Sequence, residues 1–287
     1  MLSEEQLSVL REIQDVELKI LLELDRICSK YDIKYSLSGG TLLGAIRHKD
    51  FIPWDDDIDI DVKREDFYRL LRLLPSELGE DFTFVNYDEF GENFCDFIPR
   101  IFYNNCKVVN SFSLDGGKTN MAGDSRMDKI FIELYCLHDT RRGIVVNTQI
   151  FLVKTIYGMA MAHRNGMTPS TRYSELQKAE VGFLRTIGKH IPMRVLTKMY
   201  EKTVNFVKTG RGNAYFKPSV PLWVQKNNVF PKDWFDEFVR VPVREYMIYA
   251  PRNYLNMLES LYGDWQKLPP EKNRKPDHFK LEGVEIW

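Results

Sequence analysis

Two runs decide how this chain is read: Ser38-Gly39-Gly40-Thr41-Leu42-Leu43-Gly44 and, one short loop later, Asp55-Asp56-Asp57-Ile58-Asp59-Ile60-Asp61. In the second run Asp57, Asp59 and Asp61 alternate with Ile58 and Ile60. Alternate residues of a strand share one face at roughly 6.6 Å spacing. Ile58, Ile60 and Val62 therefore belong to the core, and the carboxylates line the other face. Carboxylates held side by side repel each other and raise one another's proton affinity. A divalent cation removes that repulsion, and carboxylates at i and i+2 converge on Mg²⁺ while leaving it positions for phosphate oxygens. In the first run, Gly39 and Gly40 end the short alternating strand Tyr35-Ser-Leu-Ser38 and precede a helix expected over Thr41 to Arg47, with Thr41 at its N-cap. Glycines there let backbone N–H groups approach a phosphate, and the helix N-terminus adds partial positive charge. Together the runs form a two-part site, with a glycine turn for phosphate and carboxylates for its metal. Each run alone also has an ordinary explanation, a solvated acidic loop and a common Gly-Gly turn.

Working outward, Ser3 and Gln6 fit a capping box. Leu7, Leu10, Ile13, Ile20, Leu24, Ile27 and Tyr31 recur at helical spacing, so residues 3–31 read as one long helix. Glu65 to Leu74 reads as a helix ended by Pro75, and Phe82 to Tyr87 and Phe97 to Tyr103 as strands. Ser111 to Met127 has the composition of a mobile loop. Phe131 to Leu137 is a strong strand, residues 142–209 are helical in pattern, Phe238 to Tyr249 has strand character and Tyr254 to Tyr262 is a short helix. The tail Pro269-Pro270 to Pro276 reads as a loop or surface strap. The order predicts an α/β (α+β) sheet domain at 1–140 carrying the N-terminal helix. Residues 141–287 follow as a helical segment with strands and a helix that complete the same domain or form a substrate-binding layer.

Composition narrows the field. The 287 residues are 44% hydrophobic and 28% charged with a net charge of −1, which is globular and lacks the basic excess of a duplex DNA binder. Cys28, Cys95, Cys106 and Cys136 form no CxxC pair, so a zinc knuckle is not expected and four reduced thiols are. The acidic N-terminus has no apolar core of the signal-peptide kind. Ile144 to Ala162 approaches the length of a membrane span, but Asn147, Thr148, Gln149 and Lys154 interrupt it, so it reads as a buried or interfacial helix.

Three further features bear on chemistry. Glu133 lies inside an apolar strand, where a lone acid needs a partner; it is either a third site carboxylate or the salt-bridge partner of Arg126 or Lys129. Arg47, His48 and Lys49 lie between the two runs and suit a phosphate, although isolated basic residues are more often surface charges. Trp54 suits stacking on a base or ligand cation, with packing as the equal alternative. GxSxG, GxxxxGK[ST], HExxH and GxGxxG are all lacking.

From Tyr35 to Ile60 the sequence strongly resembles the signature of the LicD family, which is similar to the nucleotidyltransferase superfamily and shares its motif with fukutin-related proteins. The resemblance runs from about Tyr31 to Asp139. It resumes weakly from Asn228 to His278, where Phe230-Pro-Lys-Asp-Trp234 and Tyr262-Gly-Asp-Trp265 look like landmarks. It implies a nucleotidyltransferase-like mixed sheet flanked by helices, with 142–215 unmatched. Asp57 and Asp59 match the metal carboxylates, holding Mg²⁺ with Mn²⁺ as the alternative. Gly39 and Gly40 match the glycine turn, with Thr41, Arg47, His48 and Trp54 beside it for substrate. Glu133 stands where the family usually has Asp, and Asp61 replaces an apolar or small position. The resemblance implies a transferase that moves a phospho-alcohol, foremost phosphocholine, from a CDP-linked donor to a hydroxyl of a cell-surface glycan or teichoic-acid precursor. An acceptor hydroxyl would attack the alcohol-bearing phosphorus, CMP would leave, and Asp59 or Glu133 would take the proton. Capsular polysaccharide and the cell wall are the expected setting. The protein is expected to be cytoplasmic and peripheral at the inner membrane face, with a lipid-linked acceptor and no nucleic-acid partner. Two other readings stay open: nucleotidyl transfer from an NTP to a sugar, small molecule or protein, and a non-catalytic glycan-binding protein of the same fold. Trp54, Tyr103 and Tyr135 are available for a choline cage.

Overall fold

The computed structural model describes residues 2–110, 123–164, 174–218 and 228–287. Its first half contains α1 (Glu4–Lys30), β1 (Tyr35–Leu37), α2 (Gly39–His48), β2 (Asp59–Lys63), α3 (Arg64–Glu77), β3 (Phe82–Val85), β4 (Arg100–Tyr103), β5 (Cys106–Asn110) and β6 (Phe131–Thr140). The second contains α4 (Ile144–Ala160), α5 (Glu175–Gly188), α6 (Met193–Val204), β7 (Ala214–Phe216), β8 (Val229–Pro231), β9 (Phe238–Val243), β10 (Tyr246–Pro251), α7 (Tyr254–Tyr262) and β11 (Phe279–Ile286). The result is a mixed α/β fold, a sheet flanked by helices, as expected.

The sheet runs β1-β2-β6-β4-β3, and β7 with β8 joins the far half of β6. Among the described residues only β2 and β6 run parallel, with Asp59 opposite Glu133 and Asp61 opposite Tyr135. On the other side of β6, Arg100 of antiparallel β4 lies opposite Glu133. Alternation does the sorting expected of it: Ile58, Ile60 and Val62 are fully buried, and so are Ile132 and Leu134 of β6. α1 packs along this apolar face, capped as its sequence requires: Ser3 Oγ accepts from Gln6 N–H, and Gln6 reaches back to Ser3 N–H. A second core gathers Phe94 and Phe97 with the inner faces of α4 and α6. All four cysteines are free and buried.

Several boundaries depart from expectation. α2 starts at Gly39, with Ser38 as its N-cap residue, so Thr41 is already inside the helix. Its hydroxyl instead accepts a hydrogen bond from Asp59 N–H at 2.9 Å, joining helix to acidic strand. α3 runs past Pro75 to Glu77, because its last turn is tied down from α1: Arg26 donates to the Glu77 carbonyl, and Lys30 and Tyr31 bind its carboxylate. The strand expected from Phe97 starts at Arg100, and the strand character of Phe238 to Tyr249 takes the form of a hairpin. β5 and β11, antiparallel partners more than 160 residues apart, were not expected. Residues 111–122 of the Gly- and Ser-rich segment lie outside the described residues; Ser125–Asp128 forms a short 3₁₀ turn.

Candidate active site

The glycine turn faces the acidic strand directly. Gly39 has φ +52°, a conformation L side chains rarely adopt. A Cβ on Gly39 would meet Asp59 Oδ2 at 3.0 Å, and one on Gly40 would meet Asp55 Oδ2 at 2.6 Å. The backbone conformation favours glycine at Gly39, and a side chain at Gly40 would have to displace the Asp55 carboxylate; Asp59 thus stands on one side of the turn and Asp55 on the other. Asp55 was not assigned a role from sequence, although it stands in the same acidic run.

The run divides its labour. Asp56 is buried and structural: its carboxylate accepts from the backbone N–H of Asp277, His278 and Phe279 at 2.7–3.0 Å. That brings the C-terminal segment into the site. His278 Nδ1 lies 3.5 Å from Asp56 and 3.9 Å from Asp57, and the ligand-type atoms of Asp56, Asp57 and His278 lie within 4.8 Å of one another. Asp59 is outside that group, against Gly39 and level with Glu133. Among the described residues, the buried Asp59 Oδ1 has no hydrogen-bond partner. Asp61 pairs with Lys217 at 3.2 Å, and Lys217 also donates to Ser38 Oγ at 2.6 Å. The lysine thus ties the residue before Gly39 to β2.

Electrostatics agree with this division. Burial raises the proton affinity of Asp55, Asp57 and Asp59, and the neighbouring carboxylates raise it further. Burial also raises Asp61, against the pull of Lys217. For His278 burial pulls downward, but Asp57 and Asp56 outweigh it and the imidazole is pushed up. Beneath the run, the fully buried Glu17 of α1 is raised by burial and then by Asp57, Asp56 and Asp55. Neither Glu17 oxygen has a hydrogen-bond partner among the described residues. This excess of confined negative charge, with an orphaned oxygen on Asp59 and a cradle a Cβ would fill, fits a divalent cation.

Glu133 is in the site and does not pair with Arg126 or Lys129. Its partners are Arg100, across the β4–β6 register, and the Tyr135 hydroxyl at 2.5 Å. Arg100 is held in turn by Asp96 through both Nη atoms, at 2.8 and 2.6 Å. Arg126 pairs with Asp124 and Glu89, and Lys129 donates to Asn104.

Arg47, His48 and Trp54, expected to bind phosphate or base, have partners within the chain. Arg47 donates to the Trp265 carbonyl and to His48, and burial lowers its pKa. It thereby anchors the Tyr262–Trp265 landmark beside α2, where the Tyr262 hydroxyl is 3.9 Å from a Cβ placed on Gly39. Burial, then Arg47, lowers the His48 pKa. Trp54 stacks under Arg274, 5.4 Å from its ring centre. Each of the three suggested cage aromatics has a cationic side chain of the protein over its ring: Tyr103 faces Lys19 of α1, and Tyr135 carries Lys217 at 4.9 Å.

A glycine turn facing a D-x-D strand, with a third acid in register on the next strand, defines a nucleotidyltransferase-type site. Residues 32–114 match the LicD/FKTN/FKRP nucleotidyltransferase domain. The chain is 27% identical over 286 residues to the lipopolysaccharide cholinephosphotransferase LicD of Haemophilus influenzae, covering 94% of this chain and 96% of that one. It is 47% identical over 47 residues to the ribitol 5-phosphate transferase FKRP of Homo sapiens, 16% of this chain and 10% of that one. The chain thus carries a LicD-type nucleotidyltransferase domain at residues 32–114, and it is a transferase of LicD type.

Proposed function

We propose that the protein moves a phospho-alcohol, foremost phosphocholine, from a CDP-linked donor to a hydroxyl of a cell-surface glycan precursor such as teichoic acid or capsule, working in the cytoplasm on a lipid-linked acceptor. The observation that carries this is the cradle itself: Gly39 and Gly40 closed on either side by Asp59 and Asp55. The names of relatives that transfer phosphocholine and ribitol phosphate support the group transferred.

In this reading the N–H groups at the start of α2 hold donor phosphate oxygens. Asp57 and Asp59 hold Mg²⁺, with Mn²⁺ as the alternative. When bound, the ion neutralises the diphosphate and the charge that develops on it. The acceptor oxygen forms its bond to the alcohol-bearing phosphorus, the bond to CMP breaks, and the hydroxyl proton passes to a carboxylate. Asp59 is better placed than Glu133 to accept it, because both Glu133 oxygens already accept hydrogen bonds. Glu133 then acts by fixing the row Asp59–Glu133–Arg100. Arg47 positions the Tyr262–Trp265 segment over the turn.

The test is thermal stabilisation by CDP-choline, CDP-glycerol, CDP-ribitol and CTP in the presence of Mg²⁺. A ligand specific to the folded state raises Tm by mass action. CDP-choline is expected to raise Tm most. A shift with CTP equal to that with every CDP-alcohol would favour nucleotidyl transfer, and no shift with any of them would overturn the reading.

A further inference from the structure

Charge in this chain is segregated. Residues 141–211 hold thirteen Lys and Arg against three Glu, a net of +10, in a chain whose total is −1. α4 contains no acidic residue at all. Arg142, Lys189, Arg194, Lys198, Lys202 and Lys208 are exposed and form no ion pair among the described residues.

The same segment concentrates exposed apolar bulk. Of the six large apolar side chains more than 60% exposed among the described residues, five lie here: Ile144, Phe151, Leu176, Phe183 and Phe206. This is not for lack of a core. α4 turns Val146, Ile150, Val153 and Ile156 inward against α6 and Phe97, and leaves Ile144, Thr148, Phe151 and Leu152 outside. α5 buries only Gly188 and exposes Leu176, Phe183 and Ile187 on one helical stripe. α6 does likewise with Val195, Met199 and, just past its end, Phe206. Solvated helices ordinarily carry polar residues there.

We propose that α4, α5 and α6 form a docking surface for the headgroup layer of an anionic phospholipid bilayer. The basic residues meet the lipid phosphates, each adding attraction that fades with salt. The phenylalanines, Ile144 and Leu176 enter the boundary between headgroups and acyl chains. A nucleic acid would use the charge and leave the aliphatic side chains in water. A buried span would use the apolar residues, but Ile144–His163, with hydropathy 1.4 and the length to cross, is half buried in the protein and so lies on the surface. The proposal extends the lipid-linked acceptor of the reading above to a specific face, and its test needs no substrate, so either can fail alone.

The test is co-sedimentation of the full chain with vesicles of phosphatidylcholine alone, and of phosphatidylcholine with an equal part of phosphatidylglycerol. Binding is expected only to the mixed vesicles and should weaken with added salt. Phe151→Ser and Phe183→Ser each should weaken it by roughly tenfold, with Tm little changed because the two residues are 65% and 66% exposed. Lys198→Glu with Lys202→Glu should weaken it at low salt and matter little at high salt. No binding to the mixed vesicles, or binding indifferent to both phenylalanines, would overturn the proposal. Equal binding to double-stranded DNA, or a dimer in solution dissolved by the same substitutions, would assign the surface to a polyanion or to a second copy instead.

Discussion

Replacing Lys217 by Met should cost the protein about 3–5 kcal/mol of stability, the range for leaving one partner of a buried ion pair alone. The setting makes a large effect unavoidable. The side chains of Lys217 and Asp61 are 6% and 0% exposed, and lie 3.2 Å apart. Lys217 also donates to Ser38 Oγ at 2.6 Å and lies over the Tyr135 ring, so the replacement removes a second bond worth about 1 kcal/mol. Asp61 has one escape, which is to take up a proton. Its proton affinity is already raised by burial and restrained by Lys217, so removing the lysine releases it. That escape becomes costlier by about 1.4 kcal/mol per pH unit, and the defect of Lys217→Met should therefore deepen as pH rises. Urea unfolding of wild type, Lys217→Met, Asp61→Leu and the double variant completes the cycle. The double variant should recover most of the loss. In the folded fraction, Lys217→Met should also lower turnover, since Ser38 immediately precedes Gly39. A loss below about 1 kcal/mol, or a double variant no more stable than Lys217→Met, would refute the reasoning.

Three further outcomes follow from the same geometry. Asp57→Asn or Asp59→Asn should lower turnover by ~10²-fold or more while Tm holds or rises, because each removes one of several mutually repelling acids; near-normal turnover in a folded variant sinks the metal assignment. Glu133→Gln should lower turnover more than Glu133→Asp, with a small change in Tm for both, because Arg100 keeps its two bonds to Asp96; a large Tm loss with unchanged turnover would make Glu133 purely structural. Burial pushes the His138 pKa down to about 3. The unfolded chain therefore takes up the proton first, and stability present above about pH 6.5 is lost as pH falls toward 3. Between pH 7.5 and pH 5.5 wild type should lose about 1.4 kcal/mol more than His138→Gln, read from urea curves; equal losses would contradict it.

Local signals carried much of the fold. The Ser3–Gln6 box and the apolar stripe set α1. The alternation around Ile58 and Ile60 set β2 and its two faces, and Tyr254–Tyr262 is helical as expected. What escaped was long-range. Pairing of β5 with β11 joins residues whose local patterns are weak, and no local signal connects Lys217 with Asp61 or Arg100 with Glu133. The basic residues near Glu133 in sequence are Arg126 and Lys129, whereas sheet register supplies its partner from β4. Pro75 is a local stop signal, but contacts from Arg26, Lys30 and Tyr31 sustain the helix past it. Tyr262 and His278 stood in recognisable segments but had no role until Arg47 and Asp56 were seen to anchor those segments beside the glycine turn.

The most direct test of the account is the product of one turnover. Given CDP-choline, Mg²⁺ and a hydroxyl-bearing glycan acceptor, the protein should release CMP in step with phosphocholine appearing on the glycan, and Asp59→Asn should release none. Pyrophosphate release from CTP, with CDP-choline left intact under the same conditions, would contradict it.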